Sequence, residues 1–233
     1  MSTIYFIRHG QASATEDDYD RLSELGRRQS RLLGEYLQAR GLRFDAAVSG
    51  TLTRQKDTAR EALAGLTAAP RPEEMRIDPG FDESLTMNFI DRLLPRLARE
   101  DPGLAEDLRN IRTDNRAFKR LYRAAMLGWM SGDLTEPDME TYAEFVGRVE
   151  GATRRLMASA AENVIVFTSG GPISTVIRLA LGLAFEVALS LNWRMPNCSV
   201  SVFRAGPDRI NLLSYNSVAH LEVRGDPSLI TYR

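Results

Sequence analysis

Thr3-Ile4-Tyr5-Phe6-Ile7 is an unbroken apolar run of β-branched and aromatic residues that stops abruptly at Arg8-His9-Gly10. A run without polar alternation is the pattern of a strand covered on both faces, and therefore of a parallel strand in an α/β sheet. Charged side chains just past the C-terminal end of such a strand stand where open α/β sheets bind ligands. This one segment predicts both a fold class and the place to look for chemistry.

The rest of the chain fits that class. Ser23 to Arg40 carries Leu25, Leu32, Leu33, Tyr36 and Leu37 on one helical face, with Gly41 as its stop. Phe44 to Ser49 reads as a second strand, and Thr53 to Leu66 as a helix. Pro70, Pro72 and Pro79 break up a looser stretch with a short strand at Arg76-Ile77-Asp78. About 90–130 is helical. Ala161 to Thr168 is a third strand, running into Ser169-Gly170-Gly171-Pro172 and a helix to about Leu181 with Pro172 at its first position. Ser199–Phe203 and Arg209–Tyr215 flank Ala205-Gly206-Pro207-Asp208, a hairpin signal that makes the sheet mixed. The expected fold is a three-layer α/β/α sandwich with a mostly parallel mixed sheet. It forms one domain over 1–233 with a helical insertion at about 85–140.

Composition removes several functions. The 30 basic and 31 acidic residues leave a formal charge of −1, which argues against a nucleic-acid partner. Cys198, the only cysteine, cannot close an internal disulfide and suits a reducing cytoplasm. Two histidines, His9 and His220, exclude a dense His/Cys metal site. The N-terminus lacks the form of a signal peptide, and no stretch is long enough for a membrane span. With lysine only at 56 and 119, a P-loop is also excluded.

A histidine at a strand end beside an arginine suits a phosphoryl acceptor. Neutral imidazole attacks phosphorus in line, and a guanidinium holds two phosphoryl oxygens. The tripeptide alone is equally a hydrogen-bonded histidine beside a surface ion pair. Three further segments stand with it: Leu22-Ser23-Glu24-Leu25-Gly26-Arg27-Arg28-Gln29, Leu52-Thr53-Arg54-Gln55-Lys56-Asp57-Thr58-Ala59 and Thr168-Ser169-Gly170-Gly171. Together, in this order, they resemble the histidine phosphatase superfamily, the phosphoglycerate mutase-like proteins. The matches run from residue 4 to about 221.

The resemblance implies a phosphoglycerate mutase-like fold and a phosphatase that needs neither metal nor cofactor. It makes His9 the nucleophile that becomes phosphohistidine, and Arg8 and Arg54 the clamp on the phosphoryl group. It makes Glu83, in Phe81-Asp82-Glu83-Ser84, the proton donor, with Asp82 as its rival. A carboxylate near two arginines is normally held ionised, so Glu83 acts as an acid only through burial or a proton shared with the substrate.

Two positions depart from the family. Ser169 stands where a second pocket histidine is usual, so a charged donor becomes a hydroxyl. The amides of Gly170 and Gly171, at a helix N-terminus, are expected to compensate in part, and Ser169→His to raise activity or leave it unchanged. Ser169 is alternatively a plain helix cap. The family's asparagine after Arg-His-Gly is replaced by Gln11, Ser13 and Thr15 as the nearby polar groups. His220 is a candidate replacement donor, although Ala219-His220-Leu221 also resembles ordinary family scaffold.

In the insertion Arg109, Arg112, Arg116, Lys119, Arg120 and Arg123 follow helical spacing and are read as one basic stripe. The stripe is either a solvated face or a funnel for anions. Trp129 would then shape the leaving-group pocket.

The leading function is hydrolysis of a small-molecule phosphate monoester in the cytoplasm, with no nucleic-acid or membrane partner. A homodimer is compatible with this reading. The alternatives are a phosphoryl-ligand binding protein with weak or no turnover, and a phosphoglycerate mutase-type phosphotransferase.

Overall fold

The computed structural model describes residues 1–13, 20–84, 87–111 and 113–232. Thr15 and Arg112 lie outside the described residues. In chain order the elements are β1 (Ser2–Arg8), α1 (Glu24–Ala39), β2 (Ala46–Ser49), α2 (Thr53–Leu63), β3 (Arg76–Ile77), α3 (Met87–Glu100), α4 (Pro102–Asn110), α5 (Asn115–Ser131), α6 (Tyr142–Met157), β4 (Asn163–Thr168), α7 (Gly170–Leu181), α8 (Phe185–Asn192), β5 (Val200–Ala205), β6 (Ile210–Ser217) and α9 (Ala219–Glu222).

The strands form one mixed sheet in the order β3-β2-β4-β1-β5-β6. β1 lies at its centre, parallel to β4 and antiparallel to β5. The continuous apolar run is thus covered on both faces. Ile7, Ala47, Ile165 and Phe167 face α1 and α2, where they pack with Leu33, Leu37, Ala59, Ala62 and Leu63. Phe6 points the other way, edge-on to Phe81 and Phe203 at ring distances of 5.7 and 5.4 Å. The β1–β4 register sets Arg8 opposite Thr168, so His9 and Ser169 leave the sheet side by side.

Helix ends follow local chemistry. The Ser23 hydroxyl accepts from the Gly26 amide and starts α1. Gly41 follows its end with φ +64°, the left-handed conformation glycine adopts without strain. α2 stops at Leu63, short of the expected Leu66. α7 starts at Gly170, so Pro172 is its third residue and not its first.

Chain contacts divide the molecule into two compact units, residues 1–83 with 148–233, and 84–147. The first holds the sheet. The second is helical, with Leu93, Leu94, Ala117, Leu121 and Ala125 in its interior. The basic stripe is not continuous. Asp114 accepts from the Arg116 amide and starts a new helix, which leaves Arg109 on α4 and Arg116, Lys119, Arg120 and Arg123 on α5. Arg120 is also held by the Asp107 carboxylate. Trp129 is 1% exposed, lies edge-on to Tyr142 and tilted against Phe145, and donates to the Glu140 carbonyl at 2.8 Å. It is a core residue of its own unit.

Candidate active site

The site is built on the loop that leaves β1, and the sequence motifs fix that loop from three sides. The Gly10 amide donates to Thr58 Oγ1 at 2.9 Å, and Thr58 in turn donates to the Arg54 carbonyl at 2.7 Å. The Gln11 amide donates to Gln29 Oε1 at 2.9 Å, and the Gln11 carboxamide accepts from Ser23 Oγ. Gly10 and Gly26 lie backbone against backbone, and a β-carbon on Gly10 would meet the Gly26 carbonyl. Spacings that look like bare family marks in the chain are therefore the contacts of one loop.

His9 is 5% exposed and both ring nitrogens are assigned. Nδ1 lies 2.8 Å from the Gly10 carbonyl, which can only accept, so Nδ1 carries the proton. Nε2 then holds the lone pair, and it accepts from Arg54 Nε at 3.3 Å. Burial, followed by the positive charges of Arg54 and Arg8, holds the His9 imidazole well below its ordinary pKa, against an opposing pull from the Gly10 carbonyl. The ring is neutral at pH 7 with a fixed tautomer.

Arg54 is oriented by Asp20, whose Oδ1 accepts from Nη1 at 2.8 Å while Oδ2 accepts the Thr53 amide. Sequence reading missed Asp20. Arg8 adds its charge to the His9 environment, and its guanidinium donates to the Met195 and Tyr232 carbonyls.

Glu83 Oε2 accepts from the Gly171 amide at 3.0 Å, at the N-terminus of α7. That amide is therefore taken up by a carboxylate and not left open for phosphate. Asp82 is occupied elsewhere, with the Thr51 amide and hydroxyl at 2.5 and 2.6 Å. The turn before Glu83 is held by Arg148, which donates to the Pro79, Gly80 and Asp82 carbonyls.

Ser169 precedes α7, but its hydroxyl makes no capping bond. It accepts from Gln55 Nε2 at 2.8 Å. Gln55 was not among the expected residues. Its signal in the chain is a polar residue on a helix face that otherwise turns inward. The Asn192 carboxamide fills the space beside Gly170 where a side chain would stand. Of the two readings of His220, replacement donor or scaffold, its surroundings are those of scaffold. Its ring lies 6.1 Å from Tyr36, and its buried Nε2 has no hydrogen-bond partner among the described residues. Burial lowers its pKa to about 4.

A strand-end imidazole with its lone pair on an arginine, held by Thr58, Gln29 and Gly26, agrees with a family model. The model of the histidine phosphatase superfamily (branch 1) matches residues 4–218. The chain belongs to this superfamily. No curated protein sequence matches it significantly.

Solved structures share the phosphoglycerate mutase-like fold. The alpha-ribazole phosphatase of Shigella flexneri superposes with TM-score 0.65 at 21% identity, covering 92% of this chain and 96% of that one. Phosphoserine phosphatase from Entamoeba histolytica, in complex with 3-phosphoglyceric acid, gives 0.62 at 17% identity, covering 95% and 100%. The mycobacterial glucosyl-3-phosphoglycerate phosphatase, complexed with VO3, gives 0.62 at 22%, covering 93% and 100%. Among the described residues of this superfamily member, no helix is long and apolar enough to cross a membrane.

Proposed function

We propose that this histidine phosphatase superfamily protein hydrolyses small phosphate monoesters through a phosphohistidine on His9. The reading rests on the Nδ1-protonated ring whose Nε2 lone pair lies 3.3 Å from Arg54 Nε. As the ester arrives, a phosphoryl oxygen takes over that N–H and Nε2 is released toward phosphorus. Nε2 attacks in line, the N–P bond forms and the ester P–O bond breaks. Arg54 and Arg8 balance the charge on the transferring group.

The leaving oxygen takes a proton from Glu83, supplied as one shared with the monoanionic ester. Water then gives a proton back to the Glu83 carboxylate and attacks phosphorus. The N–P bond breaks, inorganic phosphate leaves and neutral His9 returns. Guanidinium groups carry the charge in this scheme, so it runs without a metal or cofactor. The structural relatives are named for small phosphate esters, which supports the same class of substrate here. The near-neutral net charge supports the exclusion of nucleic acid as a partner.

Turnover of p-nitrophenyl phosphate that survives EDTA and disappears in His9→Ala, with acid-labile phosphate trapped on the wild-type chain, is the expected result. Undiminished turnover in His9→Ala would falsify the reading. Ser169 in place of a second imidazole favours one other reading, a phosphoryl-ligand binding protein, for which orthovanadate would bind without ester turnover.

A further inference from the structure

Gln55 and Ser169 are both fully buried. The orientation of the Gln55 amide is fixed, because Nε2 lies 3.1 Å from the Phe81 carbonyl, a group that can only accept. The second Nε2 hydrogen goes to Ser169 Oγ at 2.8 Å, and Oε1 accepts the Leu52 amide at 3.4 Å. The serine oxygen is therefore an acceptor in this pair, and its own hydrogen is left to donate. The buried serines Ser30, Ser49 and Ser174 each donate to a carbonyl, whereas Ser199 and Ser201, like Ser169, have no acceptor among the described residues. A buried donor without an acceptor is a candidate to meet a ligand where a ligand site adjoins it.

The surroundings say which ligand. Ser169 leaves β4 at the level where His9 leaves β1, and the His9 amide donates to the Thr168 carbonyl at 2.9 Å. Consecutive residues of α2 serve the two strand ends, with Arg54 on His9 and Gln55 on Ser169. The Phe81 carbonyl that receives Gln55 also receives Thr168 Oγ1 at 2.6 Å, two residues before Glu83.

We propose that Gln55 is a positioning residue that turns the Ser169 O–H toward the phosphoryl oxygens. It thereby gives this site a neutral, aimed donor in place of a charged ring. The inference rests on the phosphoryl-transfer reading of the site above. A hydroxyl that accepts a hydrogen bond is polarised and donates more strongly. The Gln55 bond takes one side of the oxygen and leaves the O–H to the others.

The test is a double-mutant cycle with Gln55→Met, which keeps the volume and removes the donor, and Ser169→Ala. Orthovanadate affinity is measured for all four proteins, with kcat and KM for p-nitrophenyl phosphate. Each single substitution is expected to weaken orthovanadate by about five- to tenfold and to lower kcat more than KM. The double variant should stay within about twofold of Ser169→Ala alone, because Gln55 acts only through that hydroxyl. If Gln55→Met misfolds, Gln55→Glu serves in the same cycle. It accepts the serine hydrogen and should cost at least as much.

Independent, multiplying losses, or unchanged orthovanadate affinity in the Gln55 variants, overturn the proposal and leave the His9 mechanism standing. Turnover that survives His9→Ala overturns the mechanism while the orthovanadate cycle still reads the Ser169 donor. A wild-type chain that does not bind orthovanadate overturns both.

Discussion

The two histidines lie in two differently built regions, and the contrast separates burial from function. Both rings are buried and burial lowers both pKa values. At His9 each ring nitrogen has a partner, one fixing the proton and the other holding the lone pair against a cation. At His220 the ring rests against Tyr36 and is followed by Leu221, part of the apolar cluster of Leu32, Val218 and Leu229, and Nε2 is unsatisfied among the described residues. Desolvation makes an imidazole neutral. Only directed hydrogen bonds make it a nucleophile with a defined face.

The comparison breaks most directly in activity. His9→Ala should lower kcat/KM by a factor on the order of 10⁴ or more. His220→Phe, which keeps a ring beside Tyr36, should stay within about threefold of wild type. Comparable losses in the two variants would dissolve the distinction. Next in size is Arg54→Ala, which removes the partner of Nε2 and, in the proposed mechanism, a charge on the transferring group. A fall in kcat of about 10²–10³ is expected, the scale of a lost transition-state donor. A change confined to KM would move Arg54 out of the chemical step.

The pH dependence of stability sharpens the contrast from the other side. The His220 pKa is depressed from 6.5 to about 4 on folding. The unfolded chain therefore binds the proton over that window and the folded chain does not. Stability is complete above about pH 6.5 and is lost as pH falls toward 4. Urea unfolding at about pH 7 and about pH 4.5 should differ by about 2–3 kcal/mol from this group, and His220→Phe should remove that share. His9 contributes with the same sign, so a residual slope is expected. A pH response unchanged by His220→Phe would mean that the ring titrates normally in the folded state.

The smallest effect concerns Ser169→His. The sequence suggests that restoring an imidazole is neutral or helpful. In the structure the position is fully buried against Gln55. The single substitution should overpack the site, cost about 1–3 kcal/mol of stability and lower activity. Adding Gln55→Ala should recover activity over Ser169→His alone. A single variant more active than wild type would show that the neighbourhood yields more readily than its contacts suggest.

Much of the site was legible because its parts are local. The run Thr3–Ile7 fixed a central strand, and the Leu22–Gln29 and Leu52–Ala59 segments marked α1 and α2. Gly26, Gln29 and Thr58 proved to be the residues that grip the loop after β1. What stayed illegible involved partners far apart in the chain. Asp20 meets Arg54, Gln55 meets Ser169, and the Gly171 amide is claimed by Glu83. That α4 ends at Asn110 and α5 begins at Asn115 was hidden because charge spacing alone cannot tell one helix from two.

By itself, then, the chain determined the sheet, its covered strand and an imidazole at the strand's end. Those follow from apolar patterning and backbone geometry, which act over a few residues. Tertiary structure alone decided which carboxylate was left near α7, which histidine received two partners and which amide would hold a serine. Those outcomes depend on donors and acceptors brought together from distant positions, and hydrogen-bond direction has no signature in sequence spacing.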